Sequence, residues 1–359
     1  MDSLITVTKP YIPSKQRLWK YIESALDRRW ITNDGPLVRE LSERLEDYLG
    51  VDNLLLVGNG TLGLLVLLRF LAGREVYTTP FSFPATTSSL IFSGFQPRFG
   101  DVCDKSFNLL PPEDDRDLEG VLATHVFGNP CDVERFAELR EARNSPILYD
   151  AAHAFAVKVN GESVLNFGDA SVLSFHATKL FHCVEGGAIR FSDPDHFEQA
   201  KEMINFGFDS EGKIRRVGIN AKMNELEAAM GLAVLEDIDG ILEAYRQRYE
   251  LYDELLRPEL QRQYIEAGVE HNYSYFPLCF PDPGLVDRVV RDLAAQGIHA
   301  RRYFSPSLDE VAAYGEHPES ATSRSIASRI LCLPMYSDLP EVSIRETCAL
   351  INELLEDAR

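Results

Sequence analysis

Short β-rich runs alternate with helical stretches through the first 240 residues, and this alternation restricts the possible folds more than any other feature of the sequence. The candidate strands are residues 54–57, 75–79, 121–126, 147–150, 171–175 and 188–191. Apolar residues recur at three- and four-residue steps, as in amphipathic helices, over residues 37–49, 132–143 and 224–235. Strands that alternate with helices pair mainly in parallel and carry helices on both faces. The sequence therefore predicts an α/β fold with a mixed, mostly parallel central sheet.

The last third of the chain has a different pattern. A long helical region covers residues 226–256, with a break near residues 239–240. Residues 272–280 and 298–303 have the composition of strands, and residues 283–296 that of a helix. These elements predict a smaller C-terminal α+β domain, which places the large domain at residues 1–240 and the small domain at residues 241–359. No linker rich in Gly, Ser or Pro marks this boundary.

The chain is strongly acidic, with 36 Lys and Arg against 56 Asp and Glu and a net charge of −20. Such a charge repels the phosphate backbone of nucleic acids, so we expect no nucleic-acid partner. An anionic ligand would need a local basic site.

The sequence also gives expectations about location and metals. Its first residues lack the pattern of a secretory signal, and its longest apolar run, residues 62–68, is far shorter than a membrane span. We therefore expect a cytoplasmic protein without membrane contact. No cysteine pair or H-E-x-x-H motif is present, so we expect no metal site.

A glycine-containing segment, residues 57–63, lies between a predicted strand and a predicted helix. Gly58 and Gly60 let the backbone approach a ligand closely, and free N–H groups at a helix start suit a phosphate. The segment lacks the lysine of a P-loop and the full G-x-G-x-x-G spacing. A simple turn is therefore the alternative interpretation.

Two further segments end in reactive side chains. Asp150 closes an apolar strand, and ligands of open α/β sheets bind at such strand ends, so Asp150 could hold a protonated ring nitrogen or a metal. The alternative is that it caps a following helix. Lys179 follows an apolar strand among Phe175, Leu180 and Phe181, where desolvation would lower its pKa and favour Schiff-base formation. The alternative is a solvated lysine.

The order of these segments matches the needs of pyridoxal phosphate. This coenzyme needs an anchor for its phosphate, a carboxylate for its pyridine nitrogen and a lysine for its aldehyde. The chain offers the turn at Gly60, then Asp150, and then Ser174 and Lys179. Together these segments predict a site for pyridoxal 5′-phosphate.

Eight motifs occur in order along most of the chain. They are TNDGP (32–36), GNGT (58–61), TPFSFPAT (79–86), HVFG (125–128), DAAH (150–153), SFHATK (174–179), EGG (185–187) and GINAKM (218–223). On these motifs the chain resembles the DegT/DnrJ/StrS family of nucleotide-sugar aminotransferases. The resemblance implies the aspartate aminotransferase-like fold of the pyridoxal-phosphate enzymes, fold type I.

The resemblance also implies roles for individual residues. Lys179 would be the catalytic lysine, which forms the Schiff base with the coenzyme and afterwards moves the substrate proton. Asp150 would pair with the pyridine nitrogen, and Phe83 would stack on one face of the ring. His153 would lie near the 3-oxygen of the ring.

For the coenzyme phosphate, the resemblance implies Gly60, Thr61 and Ser174 from the same chain. It also implies Asn220 from the neighbouring subunit, so that a homodimer would share its active sites across the interface. A residue that caps the helix after it is the alternative interpretation of Asn220.

A nucleotide sugar brings a diphosphate that an acidic chain must neutralise locally. Residues 213–222 hold four basic residues, and we expect Arg215, Arg216 and Lys222 to serve the diphosphate of the partner subunit. The alternative is a solvated basic loop. Arg301 and Tyr303, with Arg302 between them, form a second candidate group.

Variants within the motifs look most like family members that make dTDP-4-amino-4,6-dideoxyglucose from the 4-keto-6-deoxy sugar. This resemblance implies L-glutamate as the amino donor. Amination of a 3-keto sugar nucleotide is the close alternative. A non-catalytic sensor that binds the coenzyme is another, which the presence of Lys179, Asp150, Ser174 and Asn220 disfavours.

Overall fold

A computed structural model describes residues 4–113 and 118–357. The helices in this part of the chain are α1 (Lys15–Arg28), α2 (Pro36–Leu49), α3 (Gly60–Leu67), α4 (Pro84–Phe92), α5 (Val133–Arg143), α6 (Pro194–Met203), α7 (Glu225–Leu235), α8 (Ile238–Leu255), α9 (Pro283–Ala295), α10 (Ala321–Arg329) and α11 (Glu341–Asp357). The strands are β1 (Leu54–Val57), β2 (Glu75–Thr78), β3 (Gln96–Phe99), β4 (Val121–Thr124), β5 (Ile147–Asp150), β6 (Lys158–Val159), β7 (Glu162–Ser163), β8 (Ala170–Ser174), β9 (Gly187–Phe191), β10 (Gln261–Arg262), β11 (Val269–Glu270), β12 (Phe276–Cys279) and β13 (Ile330–Leu333).

The central sheet has seven strands in the order β1-β9-β8-β5-β4-β2-β3. All of its pairs are parallel except those that β9 makes with β1 and β8. This architecture confirms the prediction of a mixed, mostly parallel sheet, and all six candidate strands lie in it. Strand β8 is parallel to β5, and β5 is parallel to β4. Strand β1 runs in the same direction as these three, because β1 and β8 are both antiparallel to β9. The carboxyl ends of these four strands therefore meet at one edge.

Helices cover both faces of this sheet. Alternate residues of β5 point to opposite faces, so Leu148 packs in one apolar cluster with Leu64 of α3, whereas Tyr149 packs in the other with Phe136 of α5. Every residue of β1, β4 and β5 is buried, as expected for parallel strands covered on two sides. Across residues 4–113 and 118–357, no helix combines the length and apolar character needed to span a membrane.

A second, three-stranded sheet has the antiparallel order β10-β12-β13. Helix α11 packs against α8 and α9 in this part of the chain. The N-terminal segment joins it, because His299 N–H donates to the carbonyl of Ile5 at 2.7 Å and Met335 N–H to that of Val7 at 2.9 Å. The division into domains at residue 240 stays a prediction.

Two predictions for the C-terminal third were wrong in detail. Residues 298–303 do not form a strand, because only Ile298 and Arg301 make isolated bridges before the chain turns at residues 303–304. The break in the long helical region lies at residues 236–237 rather than near 239–240, between the end of α7 and the start of α8. A glycine within a helix costs little enough for packing to override it, which explains why Gly240 does not interrupt α8.

The start of helix α2 is capped by a side chain from a distant helix. Gly35, the residue before α2, has no side chain that could accept the first free N–H groups. The fully buried carboxylate of Glu225, the first residue of α7, accepts instead from Leu37 N–H at 3.0 Å and Val38 N–H at 2.9 Å. A Cβ atom at residue 35 would lie 2.5 Å from the Glu225 side chain, so only glycine fits there.

Candidate active site

A cavity of about 580 Å³ opens at the edge where the carboxyl ends of β4, β5 and β8 meet. It brings together most of the residues that the sequence singled out: Gly60, Thr61, Phe83, Asp150, His153, Ser174, Lys179, Arg301 and Tyr303. Open α/β sheets bind their ligands at this kind of edge. The lining of the cavity does not include Asn220, Arg215, Arg216 or Lys222.

Asp150 is the last residue of β5 and its carboxylate is buried at the floor of the cavity. One carboxylate oxygen accepts from Thr86 Oγ1 at 2.7 Å, and the other accepts from the N–H of Ala152 at 3.1 Å. Burial raises the pKa of Asp150, whereas the two hydrogen bonds and the charge of Lys179 oppose this rise. The alternative that Asp150 caps a helix was wrong, because the residues after it form turns.

Hydroxyl groups continue inward from Asp150. Ser82 Oγ lies 2.7 Å from Thr86 Oγ1 and 3.0 Å from Thr124 Oγ1, and all three hydroxyls are buried. An ionised carboxylate can only accept, so Thr86 uses its single proton on Asp150. Ser82 must then donate to Thr86, and Thr124 to Ser82. Thr86 lies within a motif noted above, but nothing in its spacing indicated that it contacts Asp150.

Lys179 lies in the turn that follows β8, and its Nζ donates to Tyr275 Oη at 3.1 Å. Burial lowers the pKa of Lys179 to about 8, and the charge of Asp150 limits the decrease. An amine with such a pKa is partly neutral near pH 7 and can act as a nucleophile or base. Tyr275 precedes β12, and no motif in the sequence pointed to its place beside Lys179.

His153 is buried against the same cavity. Its Nδ1 accepts from the N–H of Phe127 at 3.2 Å, so the neutral ring carries its proton on Nε2. The ring stacks on that of Phe127, with 4° between their planes. Burial and the charge of Lys179 hold the pKa of His153 well below its usual range, which keeps the ring neutral.

Another wall of the cavity combines the start of α3 and the end of β8. Asn59 caps α3 by accepting from the N–H of Leu62 at 2.8 Å, and the helix begins at Gly60. A Cβ atom at Gly60 would lie 3.1 Å from the Cβ of Ser174, which shows how closely the turn approaches β8. The structure thus places Gly60, Thr61 and Ser174 together, with the positive end of the helix dipole toward the cavity. 

Phe83 precedes α4 and forms another wall. Its ring lines the cavity and stays half exposed, at 50% of its surface. A flat ligand in the cavity would cover the remaining surface.

Residues 205–222 fold as a loop outside the cavity. The N–H of Gly58 donates to the carbonyl of Ala221 at 2.8 Å, which fixes this loop to the turn before α3. Asn220 is exposed and pairs with Asn205 through a backbone bridge. The alternative that Asn220 caps the next helix was wrong, because Asn224 caps α7 with a reciprocal bond to Glu227.

The basic residues of this loop contact residues of their own chain. Arg215 pairs with Asp209 at 2.8 Å, and Arg216 with Glu202 at 2.7 Å. Lys222 Nζ donates to Asn205 Oδ1 at 2.9 Å. Within one chain these residues are therefore separate from the cavity.

The second candidate group, Arg301 and Tyr303, lies at the cavity. Arg301 lines the cavity, and its guanidinium lies 4.8 Å from the centre of the Tyr303 ring. Arg302, which we grouped with them, points elsewhere, because its guanidinium bonds to Asp287 and to the carbonyls of Ala327 and Ser328.

The cavity fits pyridoxal phosphate. A buried carboxylate is available for the pyridine nitrogen, a desolvated amine for the aldehyde, and a helix start with a hydroxyl for the phosphate. No group of three or more His, Cys, Asp or Glu side chains in residues 4–113 and 118–357 has a metal-binding arrangement.

Residues 14–352 match the model of the DegT/DnrJ/EryC1/StrS aminotransferase family. The chain belongs to this family. Members of the DegT/DnrJ/EryC1/StrS family are pyridoxal-phosphate-dependent aminotransferases, so this chain is an enzyme of that class. The fold is that of fold type I, as the resemblance implied.

Several members of the DegT/DnrJ/EryC1/StrS family are similar to the chain over nearly all of its length. The dTDP-4-amino-4,6-dideoxy-D-glucose transaminase of Shigella dysenteriae is 36% identical, covering 99% of this chain and 100% of the relative. The enzyme of the same name from Escherichia coli is 31% identical, covering 98% and 100%. The crystal structure of DesI in the presence of its TDP-sugar product superposes with a TM-score of 0.92 at 31% identity, covering 100% of this chain and 95% of that one.

We predict that Thr86→Val weakens coenzyme binding about tenfold to a hundredfold, because a hydrogen bond to a charged group contributes about 1.5–3 kcal/mol. The dissociation constant of pyridoxal phosphate, measured by titration of the apoprotein, checks this prediction. Thr87→Val is the matched control, since the buried Thr87 hydroxyl has no hydrogen-bond partner among the described residues. Equal affinities of the two variants would contradict a role for the Thr86 hydroxyl.

We predict that Lys179 of the apoprotein reacts with acetic anhydride along a pH curve with its midpoint near 8, since only the neutral amine is nucleophilic. Asp150→Asn should move this midpoint to lower pH, because the charge of Asp150 raises the pKa of Lys179. Mass spectrometry of the labelled peptides gives both curves. Glu185→Gln removes another acid of the cavity wall and should leave the midpoint in place. A midpoint at the ordinary lysine value of 10.5 would show that the amine is solvated.

Proposed function

We propose that the protein transfers the amino group of L-glutamate to dTDP-4-keto-6-deoxyglucose and so forms dTDP-4-amino-4,6-dideoxyglucose. The observation that carries the choice of substrate is the full-length similarity to enzymes named for that product, at 36% and 31% identity. The TDP-sugar product named in the DesI structure supports the same nucleotide. The cavity supports the reaction class, because Lys179 and Asp150 lie in it as the chemistry requires.

When bound, pyridoxal phosphate supplies an electron sink for the bond that is broken at the substrate carbon. Lys179 would hold the aldehyde end of the coenzyme and then move a proton at its Nζ, for which its pKa of about 8 is suited. Asp150 would keep the pyridine nitrogen protonated, and Thr86 would hold the Asp150 carboxylate in place. Each role depends on groups that the fold already orients before a ligand enters.

The other walls would fix the position of the coenzyme. Gly60, Thr61 and Ser174 would bind its phosphate through the helix start and the hydroxyl. Phe83 would cover one face of the ring, and His153 would donate from Nε2 to the 3-oxygen. The proton position on His153 supports this role, since its Nδ1 is already occupied by Phe127 N–H.

We also propose a homodimer in which Asn220 reaches the coenzyme phosphate of the partner subunit. The loop that carries Asn220 exposes large apolar side chains, among them Ile214 at 70% and Val217 at 80% of their surface. Such a surface favours a protein contact over exposure to water. Arg215, Arg216 and Lys222 lie on the same loop and would approach the outer phosphate of the partner's nucleotide sugar.

We predict that the absorbance band of the bound coenzyme moves to shorter wavelength when L-glutamate is added and returns when dTDP-4-keto-6-deoxyglucose follows. Lys179→Ala should abolish the cycle, and spectrophotometry of the purified enzyme checks both expectations. A band that glutamate shifts but this sugar does not restore would overturn the substrate and favour a 3-keto sugar nucleotide. A band that no amino donor shifts would indicate a coenzyme-binding sensor.

The cytoplasmic location stays a prediction from the sequence.

We predict that mixed dimers of Lys179→Ala and Asn220→Ala chains have about half of the wild-type activity, although each variant alone is impaired. If Asn220 serves the partner's site, one site of the mixed dimer carries both changes and the other carries neither. Isolation with two affinity tags, followed by the assay above, measures this activity. Mixed dimers no more active than the Asn220→Ala homodimer would place Asn220 in its own chain's site.

A further inference from the structure

The charged side chains of the cavity wall are few. Among the residues that line it, the acids are Asp150 and Glu185, and the Lys and Arg side chains are those of Lys179 and Arg301. The charge of Lys179 interacts with that of Asp150, and Lys179 is needed at the reacting carbon. His153 is neutral. Of the Lys and Arg side chains that line the cavity within one chain, Arg301 is therefore the one available to an anionic substrate.

Arg301 is also held in position without an acidic partner. Its backbone exchanges two hydrogen bonds with Cys332 of β13, at 3.0 and 2.8 Å, so the residue is fixed to the second sheet. Its guanidinium contacts the Tyr303 ring, and none of the described residues forms an ion pair with it. By contrast, Arg302, the next residue, is paired with Asp287 at 3.0 Å.

Arg301 lies apart from the reacting position. Lys179 Nζ contacts the Tyr275 hydroxyl, whereas the Arg301 guanidinium contacts the Tyr303 ring, whose centre is 6.1 Å from that of Tyr275. The charge that acts on Lys179 is that of Asp150 and not that of Arg301. An anion bonded directly to the reacting carbon must lie near Lys179. Arg301 is therefore placed for an anionic group several bonds from that carbon.

The proposed reaction uses two substrates in turn, and each must place its reacting carbon near Lys179. L-glutamate has its side-chain carboxylate, and the sugar nucleotide its sugar-linked phosphate, several bonds from that carbon. We infer that Arg301 binds both groups in alternation: the side-chain carboxylate of the donor in one half-reaction and the sugar-linked phosphate in the other. This inference rests on the proposed function.

The chemistry of the guanidinium suits this double role. Its planar set of N–H donors forms paired hydrogen bonds with carboxylate and with phosphate, whereas an ammonium acts as a point charge. Tyr303, whose ring centre lies 4.8 Å from the guanidinium, holds Arg301 in place without neutralising its charge. One side chain thus recognises two anions of different shape. It also discriminates against amino donors whose side chain carries no charge.

The test separates the two half-reactions in single-turnover experiments with the holoenzyme. Arg301→Gln should slow the reaction with L-glutamate and the reaction with dTDP-4-keto-6-deoxyglucose, each by about tenfold to a hundredfold in kcat/KM. L-glutamine serves as an amino donor of the same shape with an uncharged side chain. Its reaction is expected to be slower, and the substitution should leave its rate nearly unchanged. Arg301→Lys should recover part of both rates. Arg291→Gln is the matched control, because it removes one positive charge from an exposed position of α9 outside the cavity.

The outcomes distinguish this inference from the proposed function. A wild-type enzyme that reacts with both substrates, while Arg301→Gln leaves either reaction unchanged, overturns the inference alone. Equal losses with glutamate and glutamine overturn it as well, because the side-chain carboxylate is then not what Arg301 binds. A wild-type enzyme that reacts with neither substrate overturns the proposed function and the inference together. Unchanged coenzyme affinity and melting temperature of Arg301→Gln show that a loss of rate does not reflect misfolding.

Discussion

A buried carboxylate is the constraint on which the rest of the site depends. Taking the charge of Asp150 out of water is costly unless hydrogen bonds and an opposite charge compensate for it. The fold supplies this compensation from three directions: the Thr86 hydroxyl on α4, the Ala152 amide after β5, and the Lys179 amine after β8. Parallel pairing brings two of these groups together, since the carboxyl ends of β5 and β8 share one edge, and the packing of α4 supplies the third.

The features that the sequence predicted are those with local causes. Asp150 and Lys179 each follow a short apolar run, and parallel pairing is enough to bring the ends of such runs together. The contacts of Thr86 and Tyr275 were not predicted, because they depend on how α4 and the residues before β12 pack against strands far away in the chain. Residues 298–303 show the same limit, since their apolar composition suits a strand but no partner lies alongside for more than one residue. Tertiary packing decides such cases, and one sequence carries little information about it.

Charge in this chain is balanced locally rather than over the whole surface. Although the net charge is −20, Arg215 and Arg216 each form an ion pair with a nearby acid, Asp209 and Glu202 respectively. Arg301 has no such partner among the described residues, although it lies on a much less basic stretch of sequence. Within one chain, the density of basic residues along the sequence therefore does not show which cation lies in the cavity without an acidic partner.

The carboxylate of Glu225 that caps α2 affects more than the stability of that helix. It fixes the start of α7, and the Gly58–Ala221 hydrogen bond fixes the segment just before it to the turn that opens α3. Residues 221–225 are thus held between two anchors, and the first of them binds the turn that carries Gly60; Asn220 directly precedes that first anchor. A neighbouring molecule that displaced the exposed loop at Asn220 would therefore act on that turn, and on Gly60 within it, through the Gly58–Ala221 hydrogen bond.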